Sequence, residues 1–104
     1  MLGKIIAGEQ DVVYVADLEF DEYNEAEMAR HGVTPTDVWQ VLDDAPRYFR
    51  NPAGRGATHK MIGFTDGGLL LTVPISQTAI EDRWRPATAW PSGASQSAQY
   101  HQKP

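Results

Sequence analysis

The chain contains no cysteine, so disulfides and thiolate-held metals are excluded while the redox compartment stays undetermined. No apolar run approaches the roughly 20 residues of a membrane-spanning helix. The opening Met1–Ala7 is too short, and too soon followed by charge, to read as a signal peptide. The expectation is a soluble, cytoplasmic protein with no membrane partner. Its three histidines, His31, His59 and His101, lack any ligand spacing, which argues against a metal site. Gly54-Arg55-Gly56 lacks the flanking strand and helix of a phosphate-cradling loop, so no cofactor is expected either.

Positive charge is scarce. Nine Lys/Arg face fourteen Asp/Glu, a net charge of −5, which as a sum argues against a nucleic-acid binder. The distribution says more. Residues 1–52 hold eleven acids and four bases; residues 53–104 hold three acids and five bases. Six of the acids crowd between Asp17 and Glu27. One acidic and one basic face, with different partners, would account for this, although a solvated helix surface explains the acidic cluster equally simply.

The most legible stretch runs from Phe20 to Asp37. Asp21 suits a helix N-cap, with Glu22 and Glu25 near the positive end of the dipole. Arg30 and His31 suit the other end, and Gly32 supplies the φ > 0 residue that stops the helix. Thr34, Pro35 and Asp37 then spell a second start: cap, N1 proline and capping box. Helices are predicted over about 21–31 and 35–45, the second with Val38, Val41, Leu42 and Ala45 as its apolar stripe and Trp39 beside it.

Strands are predicted around this pair. Lys4–Ile6 and Val12–Val15 are β-branched runs, and Arg47–Arg50 is a short strand. Thr58–Thr65 and Leu69–Ile75, joined by Asp66-Gly67-Gly68, form the clearest hairpin. Pro74 predicts an edge, or an early exit from the sheet. A last strand over about Ile80–Ala89 alternates, with Trp84 on one face and Glu81, Arg83 and Arg85 on the other. This gives one α+β domain over residues 1–90: an N-terminal strand, then two helices on one face of a mostly antiparallel sheet of three to five strands. Residues 91–104, rich in Ser, Gln, Ala and Gly, read as a weakly helical or disordered tail.

Phe20-Asp21-x-x-Asn24, Arg30-His31-Gly32-Val33, the hairpin Gly63–Leu70 and Arg85-Pro86-Ala87-Thr88-Ala89 together resemble the BrnT family over roughly residues 17–100. These are toxins of bacterial type II toxin–antitoxin pairs with a RelE-like fold. The resemblance implies a ribonuclease acting on cellular RNA, neutralised by a cognate antitoxin protein with a DNA-binding domain. The chain departs from that pattern where Trp90 stands in place of a common arginine. It departs again at Gln96–Tyr100, which lacks the charges of the family's last helix.

Metal-independent RNA cleavage needs a base, an acid and cations on the scissile phosphate. Arg85 and Arg83 are the predicted phosphate clamps, Glu81 the base, and His59 a further acid–base candidate. Lys60, Arg55 and Trp90 are the predicted RNA contacts, the tryptophan by stacking. His31 is explained as a helix-end residue. The competing expectation is a non-catalytic relative, kept as a protein-binding module or inactivated toxin. A homodimer is open to either.

Overall fold

The computed structural model describes residues 13–54 and 56–102. They form a small α+β domain with three helices and a six-stranded mixed sheet. In chain order the elements are β1 (Asp17–Leu18), α1 (Glu22–Ala29), α2 (Pro35–Asp43), β2 (Arg47–Arg50), β3 (His59–Phe64), β4 (Leu70–Gln77), β5 (Arg83–Pro86), β6 (Trp90–Pro91) and α3 (Ala94–His101). The sheet order is β1-β5-β4-β3-β2, with β6 also on β4; only the β1·β5 pairing is parallel. The strand expected at Lys4–Ile6, and the start of the one at Val12–Val15, lie outside the described residues. Val13–Val15 is not strand, and the N-terminal strand is instead Asp17–Leu18.

The helix corner follows the local chemistry. Asp21 Oδ1 accepts the Asn24 N–H (3.0 Å) while Asn24 Oδ1 accepts the Asp21 N–H (2.8 Å), a complete capping box. Thr34 and Asp37 repeat it for α2. Gly32, at φ +75°, lets the Val33 and Gly32 N–H groups reach back to the Met28 and Ala29 carbonyls, closing α1 with a Schellman pair. Asn24, 1% exposed, also donates to the Glu19 and Pro86 carbonyls, both at 2.9 Å. One buried amide therefore caps α1 and ties it to β5.

On the inner sheet face, α1 and α2 cover Met61, Leu71, Val73, Ile75 and Trp84 with Met28, Val38 and Val41. Ala45, expected in that stripe, is exposed at φ +50° and ends α2 ahead of Pro46. Trp39 packs on Phe20 at 6.1 Å and stays partly exposed. Tyr48 lies on this inner face, where burial pushes its phenol up to about 12.

Three sheet expectations change. Pro74 lies in the central strand rather than at an edge. Its carbonyl accepts the Ala87 N–H (2.9 Å), so its donor-less nitrogen faces the β5–β6 junction, where pairing is interrupted anyway. There, Ala87, Thr88 and Ala89 oppose only Val73 and Pro74, because β5 pairs Pro86 with Ile75 while β6 pairs Trp90 with Thr72. This is a one-residue β-bulge in what is otherwise a single strand. The last strand is thus split and shorter than Ile80–Ala89, and six short strands replace the expected three to five. Residues beyond 90, expected as a weakly helical or disordered tail, form helix α3, which packs against β3. Arg47 Nη1 donates to the Tyr100 and Gln102 carbonyls at the end of α3, and the Tyr100 ring meets Phe64 edge-on at 5.3 Å. Helix α3 lies on the outer face, which also carries the fully buried Phe49 and Ile62.

Candidate functional site

Register decides which candidates meet. Paired residues share a face, so Lys60, Pro74, Ser76 and Arg85 stand together on the outer face. Strict alternation from Arg85 would send Trp90 inward. The bulge resets the alternation, burying Ala89 in the core and turning Trp90 outward opposite Thr72. The outer face between the 51–58 loop and α3 is an open groove. One end, about 330 Å³, is bounded by Asn51, Lys60, Thr72, Pro74, Trp90 and Gln96. It continues past Pro74 and Trp90 along Ser76, Arg85 and Thr88.

Of the sequence-predicted site residues, Lys60, Arg85 and Trp90 border this groove. Arg55 lies outside the described residues. Glu81 does not share a strand face with the arginines: it sits exposed in the turn before β5, because the strand begins only at Arg83. His59 does not join Arg85 either. Its pairing with Ile75 sets it on the inner face, where its ring meets Trp84 edge-on at 5.4 Å and Nδ1 lies 3.0 Å from Thr58 Oγ1. The expected base and acid are thus separated from the groove by the turn and by the sheet itself.

The arginines carry partners that local sequence does not announce. Because β5 returns beside β1 in parallel, Asp17 pairs with Arg83. Arg83 Nε stands 3.5 Å from Asp17 and 3.8 Å from Glu19. Arg85 Nη2 contacts both Asp21 carboxylate oxygens, at 2.8 and 3.1 Å. Both arginine side chains are about one-third exposed, so these ion pairs are partly screened, although Arg83 Nε itself is buried without a hydrogen bond. Part of the acidic 17–27 cluster therefore neutralises the basic strand instead of forming a separate face.

Three residues of the site region escape a reading based on charge. Asn51 and Gln96 are neutral amides in segments read as loop and tail, and His31, assigned to a helix end, meets the Trp90 ring edge-on at 6.2 Å. The Arg30-His31-Gly32 corner is thereby joined to Trp90 across the sheet edge. Among the described residues no cluster of three His, Asp or Glu could hold a metal, and no helix is long and apolar enough to cross a membrane. The chain matches no protein-family model and no curated protein.

Proposed function

We propose that the protein is a BrnT-like toxin with a RelE-like fold, a metal-independent ribonuclease whose RNA lies along the outer-face groove and whose activity a cognate antitoxin neutralises. The observation that carries this reading is the convergence of Lys60, Arg85 and Trp90 on one open face, two cations and an aromatic surface arranged as single-stranded RNA requires. The order of a short strand, two capped helices and an antiparallel meander supports the RelE-like assignment. In this reading Arg85 exchanges Asp21 for a phosphodiester, whose two non-bridging oxygens can take the same pair of guanidinium N–H bonds as the carboxylate at a partly exposed site. With Glu81 and His59 outside the groove, rate acceleration rests on charge and on holding the 2′-oxygen in line.

One observation favours a second reading, a non-catalytic relative that binds a protein partner. Arg85 in the groove and Arg83 beside it on β5 are both already ion-paired, and the acid–base candidates lie elsewhere. Induced expression separates the two. A ribonuclease toxin arrests growth and degrades total RNA, Arg85→Ala relieves both by about tenfold to a thousandfold, and co-expression with an adjacent small open reading frame restores growth through a stable complex. Normal growth and intact RNA with folded wild-type protein would leave only the binding relative.

A further inference from the structure

The 330 Å³ end of the groove is chemically simpler than its lining suggests. Its Thr72 hydroxyl is 2.8 Å from Ser92 Oγ and fully buried, so that polar group is satisfied. Asn51 spends its amide nitrogen on the Ala57 carbonyl (3.1 Å). Gln96 spends its amide oxygen on the Gly93 N–H (2.9 Å). These bonds fix which way each amide points, because a carbonyl accepts only from the NH₂ end and an N–H donates only to the oxygen. Asn51 therefore keeps an open acceptor, Oδ1, and Gln96 an open donor, Nε2, without a partner among the described residues. Trp90 and Pro74 supply flat apolar surface beside them, and the His31 ring packs against the indole at 6.2 Å.

One acceptor and one donor beside an aromatic plane match the hydrogen-bonding edge of an unpaired nucleobase. We propose that this end of the groove is a base-reading pocket for one nucleotide of single-stranded RNA, with Gln96 Nε2 and Asn51 Oδ1 as its specificity-determining groups. The inference rests on reading the outer face as an RNA surface, and it adds that the surface discriminates among bases. Discrimination follows because a base presenting acceptor to acceptor leaves two polar groups unsatisfied within a partly enclosed site.

The test is fluorescence anisotropy of the full chain with labelled A, C and U octaribonucleotides at low salt. Wild-type protein is expected to prefer one of the three by about tenfold. Gln96→Glu keeps an oxygen for the Gly93 N–H, and so the start of α3, while replacing the open donor by an acceptor. It should abolish or reorder the preference with an unchanged thermal melt. Added negative charge alone would weaken all three oligomers by one common factor. Equal wild-type affinities, or a uniform loss in Gln96→Glu, would overturn the base-reading pocket while leaving RNA binding in place. Absence of binding to any oligomer would remove the RNA reading itself, and the pocket with it.

Discussion

Helix α2 can lie on β3 only because residue 63 has no side chain. A Cβ built at Gly63 would stand 3.0 Å from Pro46 Cβ, 3.1 Å from Val41 Cγ1 and 3.3 Å from Pro46 Cα, against a preferred carbon–carbon separation of about 3.5–4.0 Å. Neither neighbour can step aside. The Pro46 ring has no rotamer to change, and Val41 is β-branched, helical and fully buried. Gly63→Ala therefore over-packs this contact at a cost of about 1–3 kcal/mol. Replacing glycine within a strand returns about 0.5–1 kcal/mol by narrowing the unfolded ensemble. The net expectation is destabilisation by up to about 2.5 kcal/mol, and a domain of this size loses about 4–8 °C of Tm per kcal/mol. The assay is a thermal unfolding curve followed by circular dichroism. A variant melting at or above the parent temperature would mean that α2 shifts freely over the sheet, and would refute the packing argument. RNA binding at low temperature should be unaffected, because Gly63 and Lys60 occupy opposite faces of β3.

Other perturbations probe other joints. At Gly32 nothing lies within 4 Å of an added Cβ, so Gly32→Ala should cost about 1 kcal/mol through φ +75° alone, measured by chemical denaturation. Arg47→Ala removes the side chain that holds the last carbonyls of α3; helical ellipticity should drop and residues 94–101 should lose amide-exchange protection while the strands keep theirs. Tyr48 titrates near 12 in the folded protein against about 10 unfolded, so its contribution to stability is complete below pH 10 and is lost as pH rises from 10 to 12. Tyr48→Phe should flatten that alkaline decline in a pH series of melts.

What could be read from sequence was what neighbours within a few residues determine. The Asp21 and Thr34 caps, the Gly32 stop, the Val38/Val41 stripe and the turn at Asp66–Gly68 all act over three to five positions, and each appears where its residues place it. The boundaries were longer on paper because Ala45 and the flanks of β5 have helix- or strand-compatible side chains but non-regular backbone. Contacts between distant segments left no such trace. Nothing near Arg85 signals that Asp21, 64 residues away, will meet it, since that depends on a parallel return of the chain. The face of His59 depends on its register with Ile75, and the outward turn of Trp90 on an unpaired residue that composition does not mark. Helix α3 buries no residue of its own, so its sequence resembles a solvated tail even though Arg47 and Phe64 hold it in place.

The bulge at Thr88–Ala89 makes the groove's aromatic wall a matter of counting rather than of identity. Upstream of it the outward residues are odd-numbered, Arg83 and Arg85; downstream they are even, beginning with Trp90. The place of the tryptophan on this surface therefore depends on the bulge that absorbs one extra residue between Arg85 and Trp90. Deleting one codon between Ala87 and Ala89 removes the extra residue and with it the bulge, so that arginine and indole stand four positions apart and both still face outward in regular alternation. Substitution scans sample changes of letter at fixed length and would pass over this equivalence of the bulged and the shortened strand. In-frame deletions across residues 87–89 are the natural variation in which this equivalence would be recorded.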